Sequence, residues 1–165
     1  MDFKYVEEFD GGIVIKGVRN FNLSHIFDCG QCFRWNRQEN GNYIGVAFGR
    51  VIELEKREED VVIYNTTEED FENIWVEYFD LYRDYSSIKE ILGEDELLKK
   101  SVEFGDGIRI LKQEPFEITL SFIISANNRI PMIKRAIDNI SKKWGKTVEY
   151  KGHTYYTFPS IDDLA

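Results

Sequence analysis

Up to about Asn65 the chain alternates short apolar runs with turn signals. The runs fall at residues 12–16, 33–35, 43–48, 51–54 and 61–64 and are rich in β-branched and aromatic side chains. Between them lie Asp10-Gly11-Gly12, Glu39-Asn40-Gly41-Asn42, Gly49-Arg50 and Glu58-Glu59-Asp60. Such regular punctuation predicts an antiparallel meander with one face covered. The pattern then changes period. Thr67 followed by Glu68, Glu69 and Asp70 reads as a helix N-cap with acids in the first turn. Phe71, Ile74, Trp75 and Tyr78 recur at i, i+3, i+4 and i+7, one stripe of a helix that covers the sheet. Two shorter helices, near residues 87–92 and 94–104, lead to Gly105-Asp106-Gly107. The fold class expected is α+β.

After that glycine pair the pattern is helical. Residues 108–112 lead into a helix opened by Pro115, whose missing N–H suits a first turn. Phe116, Leu120, Ile123 and Ile124 share one face of it, and Ile118 and Phe122 occupy another. A helix apolar on every side is expected to be buried on every side. It stops at Asn127-Asn128-Arg129, and Pro131 can open a second helix running to Trp144. Two short amides and a cation on a rigid helix end form a probe for something polar; helix C-capping by asparagine is the plainer alternative. Residues 148–158 are strand-like around Lys151-Gly152. Ser160 with Asp162 and Asp163 reads as one more helix start, so a chain ending at Ala165 is expected to end inside a domain.

Composition changes this picture little and charge changes it more. The 165 residues suit one domain, or one with part of another, and 42% hydrophobic with 15% aromatic content supplies a core. No apolar run reaches membrane-spanning length, and the N-terminus lacks a signal peptide's basic and apolar regions, so a cytoplasmic protein is expected. A net charge of −9 argues against nucleic acid only on average. Residues 107–165 hold nine Lys/Arg against six Asp/Glu; the first 106 hold twelve against twenty-four. A basic C-terminal third permits a local anion-binding face, as well as an ordinary solvated helix end.

Cys29-Gly30-Gln31-Cys32 invites a redox reading, but thioredoxin-type motifs open a helix, and here strand-like Phe33-Arg34-Trp35 follows. With His25 and His153 the two thiols make a weak zinc pattern, lacking a second tight pair. Two thiols kept reduced in a cytosol are the simpler reading.

Four stretches in register carry a resemblance. Residues 29–35 (Cys-Gly-Gln-Cys-Phe-Arg-Trp), 107–117 (Gly-Ile-Arg-Ile-Leu-Lys-Gln-Glu-Pro-Phe-Glu), 121–128 (Ser-Phe-Ile-Ile-Ser-Ala-Asn-Asn) and 155–160 (Tyr-Tyr-Thr-Phe-Pro-Ser) resemble the N-terminal part of 8-oxoguanine DNA glycosylases of the helix-hairpin-helix superfamily. The resemblance implies an antiparallel sheet with covering helices, TATA-binding-protein-like, over residues 1–113. The first helices of the all-α glycosylase domain follow over 114–165. It implies that the intact protein excises 8-oxoguanine from duplex DNA and cleaves the abasic site, with no metal or organic cofactor, no membrane and no protein partner. In a prokaryote the protein would be nucleoid-associated.

By the same resemblance, the carbonyl of Gly30 reads the lesion. Oxidation at C8 turns guanine N7 from an acceptor into an N–H donor, which a carbonyl accepts and which normal guanine lacks. Asn127 matches the asparagine that fills the gap left by the flipped nucleotide; Asn128 and Arg129 match neighbours that support the turn or meet phosphate. Where the eukaryotic-type pattern has an arginine facing the opposite cytosine, this chain has Met132, which offers no donor. The family's nucleophilic lysine and assisting aspartate sit with a glycine-rich hairpin that has no counterpart here, and the resemblance implies that they lie beyond Ala165. No catalytic residue is therefore assigned, and Lys134, Lys142 and Lys143 are not substitutes. The rival readings are a non-catalytic DNA-binding module and a zinc-dependent interaction domain on Cys29 and Cys32.

Overall fold

The computed structural model describes residues 1–165. In chain order the elements are β1 (Tyr5–Phe9), β2 (Gly12–Lys16), α1 (Leu23–Phe27), β3 (Trp35–Arg37), β4 (Tyr43–Ala47), β5 (Arg50–Arg57) and β6 (Asp60–Tyr64). There follow α2 (Glu68–Asp70), a π-helical turn (Phe71–Trp75), α3 (Val76–Tyr78), α4 (Tyr85–Leu92) and α5 (Glu96–Phe104). The chain closes with α6 (Pro115–Ser125), α7 (Ile130–Trp144), β7 (Thr147–Tyr150), β8 (His153–Tyr156) and α8 (Ile161–Leu164). Six strands hydrogen-bond in the order β1-β2-β6-β5-β4-β3. Only β3 to β6 form the simple meander that the turn spacing predicts. β2 pairs with β6, from Gly12↔Tyr64 to Ile15↔Val61, and β1 was not anticipated. The architecture is α+β. No helix is long and apolar enough to cross a membrane.

The chain divides into two compact units: 1–31 with 54–112, and 32–53 with 113–165. In the first, Ile13, Ile15, Leu54, Val61, Val62 and Ile63 are completely buried. The anticipated helical stripe is present, with Phe71, Trp75 and Tyr78 buried and Ile74 half-buried, although the turn carrying them is π-helical. Thr67 caps its start, accepting from the Asp70 N–H at 3.1 Å. The indole N–H of buried Trp75 donates to the Thr66 hydroxyl at 2.8 Å, which leaves no orphaned donor.

The centre of this unit is polar. Arg109 is 0% exposed. Its Nε donates to the Phe79 carbonyl at 2.8 Å, Nη1 to Asp2 at 3.0 Å and to the Asn20 carbonyl at 3.1 Å, and Nη2 to the Asp80 carbonyl. The Tyr85 ring lies 4.2 Å from the guanidinium carbon. Asp2, equally buried, also accepts from Asn20 and from the backbone N–H of Tyr85. These demands correct the helical reading of residues 108–112. The segment is not helical: Arg109 and Leu111 turn inward while Ile108, Ile110 and Lys112 are exposed. That period of two belongs to extended backbone.

In the second unit Phe33, Ile133 and Ile137 form one buried cluster, with Ile124 and Phe158 against it. Ile44, Val46 and Val51 form another, covered by Val148, Tyr150 and Tyr155 of the β7–β8 hairpin. Gly45 is required beside Trp35, since a Cβ there would fall 2.2 Å from the indole. Glu53, 2% exposed, accepts from Asn42 (2.6 Å), Lys151 (2.7 Å) and Tyr150 (3.0 Å), tying the hairpin down. α8 begins with the capping box expected at Ser160, reciprocated by Asp163. Ala165 caps its other end, its N–H donating to the Ile161 carbonyl at 3.2 Å.

α6 departs from expectation. Within these residues only Ser121 of this helix is buried, while Phe122 is 51% and Ile123 66% exposed. One side is engaged, through Ile124 in the Phe33 cluster and Phe116 edge-on to Phe158. Ile118 and Leu120 are half-buried and Phe122 meets Phe33 edge-on, while Ile123 projects outward.

Candidate functional site

The α6–α7 junction concentrates unusual groups in a few residues. α6 ends at Ser125, and Asn127 adopts φ +53°, the left-handed conformation that asparagine tolerates after a helix. Asn128 performs the capping: its amide nitrogen reaches the Ile124 carbonyl at 3.3 Å, its backbone N–H the Ser125 carbonyl at 3.1 Å, and its Oδ1 accepts from the Arg129 N–H at 2.9 Å. Asn127 is exposed and its side-chain amide has no partner in the chain. The two asparagines therefore divide the labour, one holding the turn and one left free.

Arg129 is the N-cap of α7, exposed and in extended backbone, with Pro131 in the first turn. The positive end of a 15-residue helix thus faces the junction and favours an anion there. Met132 is 51% exposed and so is not core packing; the buried positions of α7 are Ile133, Ile137 and Ser141. The lysines of this helix are engaged. Lys134 Nζ donates to the Trp35 carbonyl at 2.8 Å, Lys142 pairs with Asp138 at 2.7 Å, and Lys143 lies 4.2 Å over the Trp144 ring. The hydrogen bond that Lys142 donates to the Asp138 carboxylate raises its pKa above the ordinary value, the wrong direction for an amine nucleophile. Ala165, past which the resemblance puts the catalytic pair, takes no part in the site itself. It is exposed, offers only a methyl group, and serves to cap α8.

Gly30 belongs to the first unit. It has φ +90°, and no heavy atom lies within 4 Å of where a Cβ would be. The side chain after it is firmly held. Gln31 Nε2 donates to the Ile26 carbonyl at 2.9 Å and the Arg109 carbonyl at 2.8 Å, and its Oε1 accepts from the Leu111 N–H at 3.0 Å. Sequence reasoning missed this residue, because a glutamine in a loop carries no signal until its distant partners are known. Asn127, Asn128, Arg129 and Met132 thus fall on one junction, while Gly30 is held separately.

The zinc reading fails on geometry: no three His, Cys, Asp or Glu side chains gather to hold a metal ion. His25 Nδ1 is committed to the Asp106 carbonyl at 2.6 Å and Cys29 Sγ to the Ile26 carbonyl at 3.4 Å. Cys29 and Cys32 are both free thiols.

The fold is one that DNA glycosylases share. The 3-methyladenine DNA glycosylase of Archaeoglobus fulgidus superposes on 98% of the chain with a TM-score of 0.61 at 16% identity, a likeness of fold alone. The family is narrower. The chain belongs to the family of the 8-oxoguanine DNA glycosylase N-terminal domain, whose family model matches residues 13–119. The 8-oxoguanine glycosylase/lyase of Clostridium acetobutylicum is 66% identical, with a TM-score of 0.98 over 99% of this chain and 57% of that one. That enzyme has also been solved with double-stranded DNA containing cytosine opposite 8-oxoguanine. The N-glycosylase/DNA lyase of Arabidopsis thaliana is 28% identical over 157 residues, covering 84% of this chain and 40% of the plant protein. A probable N-glycosylase/DNA lyase of Methanothermobacter thermautotrophicus is 37% identical over 87 residues, covering 52% of this chain and 28% of its own. The chain spans less than half the length of these two curated relatives.

Proposed function

We propose that this chain is the lesion-reading and gap-filling part of an 8-oxoguanine DNA glycosylase/AP lyase acting on duplex DNA. The observation that carries the reading is the free amide of Asn127, held on a left-handed turn that Asn128 caps. A flipped nucleotide leaves an unstacked gap and an orphaned partner base, which a short rigid amide fills and hydrogen-bonds. The Gly30 carbonyl accepts the N7–H that only the oxidised base presents. Asn128 supports the turn, and Arg129 with the α7 N-terminus meets a phosphate. Met132 faces the opposite base without a donor. Residues 1–113 constitute the N-terminal domain and 114–165 begin the helical one. The base is displaced from C1′ by a lysine with an assisting aspartate, and the resulting Schiff base allows strand cleavage. Neither residue has a counterpart among residues 1–165, and both are assigned to sequence beyond Ala165. No cofactor enters this scheme, and the compartment is the cytoplasm, at the nucleoid in a prokaryote.

Borohydride trapping on an 8-oxoguanine duplex tests this. The full-length protein should give a covalent adduct, and residues 1–165 alone should give none. An adduct formed by the pure 165-residue chain would place the nucleophile among its own lysines and overturn the assignment. In the full-length protein, Asn127→Ala should weaken binding to an abasic-analogue duplex roughly tenfold, one lost hydrogen bond plus an unfilled gap. Unchanged binding would remove Asn127 from the interface.

A further inference from the structure

We infer that Gln31 is a positioning residue for lesion discrimination: its side-chain amide sets the direction in which the Gly30 carbonyl points. This rests on the reading of Gly30 given above and deepens it. The Gly30 carbonyl belongs to the peptide that ends at the Gln31 nitrogen, so fixing the Gln31 Cα fixes one end of that peptide plane. The other end has no side chain to hold it: Gly30 sits at φ +90° with open space where a Cβ would be, and glycine has the widest backbone freedom of any residue. Cys29 offers only a weak thiol contact to Ile26.

Gln31, by contrast, satisfies both N–H donors of its amide and its oxygen at once, on Ile26, Arg109 and Leu111. The pattern also fixes which end of the amide is which, because two carbonyls demand the nitrogen and one N–H demands the oxygen. Two of the three partners lie on the segment held by the buried guanidinium of Arg109. The loop is thereby tied to the buried, fully hydrogen-bonded polar centre of its unit. A carbonyl that accepts one particular N–H must be held in direction as well as place, because a hydrogen bond weakens steeply off axis.

The test uses the full-length protein and three duplexes carrying 8-oxoguanine, guanine or a stable abasic analogue at one position. In Gln31→Leu the preference for 8-oxoguanine over guanine should fall about tenfold or more, the weight of one directed hydrogen bond. Affinity for the abasic analogue, which presents no base to read, should stay within about twofold. Gln31→Glu keeps the side-chain size and carries the test if the leucine variant does not fold. Its ionised carboxylate turns lone pairs towards two carbonyls, whereas its protonated form donates to one. Its preference should therefore recover partly as pH is lowered from about 7 to about 5, while the wild type stays level. Equal weakening on all three duplexes, or an undiminished preference in both variants, overturns the inference alone. A wild-type protein with no preference for 8-oxoguanine overturns the Gly30 reading first, and the inference with it.

Discussion

Arg109 and α6 invert the usual rule of burial. A guanidinium is 0% exposed in one unit, while Ile123, an aliphatic side chain in the other, is 66% exposed. The first is stable because its donors meet Asp2 and a ring of carbonyls, so that charge is compensated in the interior. The second has no such closure: on α6, Ile123 and half of Phe122 stay exposed. Next to it stands an amide, Asn127, equally without a partner. The Arg109 network completes its interactions within its own unit, whereas the α6–α7 junction leaves Ile123 and the Asn127 amide exposed.

The contrast is broken most severely at Arg109. Arg109→Leu strands the Asp2 carboxylate and several carbonyls in the interior, and should cost about 3–5 kcal/mol. Ile123→Ser, an apolar deletion of similar size, should change stability by no more than about 0.5 kcal/mol. Urea unfolding of the 165-residue chain measures both. A loss at Arg109 below that at Ile123 would show that the buried network is dispensable and α6 is the true core.

Much of this division was legible and the exceptions have physical causes. The strands at residues 12–16, 43–47 and 61–64 announce themselves because their β-branched runs are bounded by turn residues. β1 was silent: four of its five residues are exposed, as an edge strand permits, so no apolar alternation marks it. α1, five residues long, is too short to display a period. Residues 108–112 misled because Ile108, Ile110 and Leu111 are compatible with a helix, and the partners of Arg109 lie 26 to 107 positions away. For the site, the asparagines and Met132 were visible as residue types. That Asn128 alone does the capping, leaving Asn127 free, is a fact of geometry.

Met132 sharpens the contrast next, since it is an exposed apolar residue at the junction itself. An arginine at this position, hydrogen-bonded to the opposite cytosine, would discriminate by about 1–3 kcal/mol per wrong base. Methionine adds neither that contact nor a clash, being flexible and apolar. The full-length protein should therefore excise 8-oxoguanine opposite adenine or guanine nearly as fast as opposite cytosine. Met132→Arg should restore a cytosine preference of roughly ten- to a hundredfold. Excision rates against all four opposite bases decide it; a wild type already a hundredfold selective for cytosine would sink the argument.

The smallest effect repeats the contrast between two carboxylates of the second unit. Burial alone would raise the pKa of Glu53, but hydrogen bonds from Lys151, Asn42 and Tyr150 outweigh it and hold the carboxyl below its usual value. Burial raises that of Glu117, and Arg34, 3.3 Å away, does not fully offset it, with Glu114 adding repulsion. The signs are opposite. A depressed carboxyl contributes stability that is present above its unfolded pKa and is lost as pH falls through the folded one. A raised carboxyl binds its proton more tightly when folded, so stability falls as pH rises from the unfolded pKa through the folded one. Glu53→Gln should thus remove stability at neutral pH, and its effect should shrink as pH falls from the ordinary carboxylate pKa through the depressed folded one. Glu117→Gln should remove a decline that begins at the ordinary carboxylate pKa and continues upward through the raised one. Urea midpoints of the wild type and both variants, from about pH 3 to about pH 7, give the two difference curves. Curves of the same sign would mean that the three donors on Glu53 do no more for it than Arg34 does for Glu117.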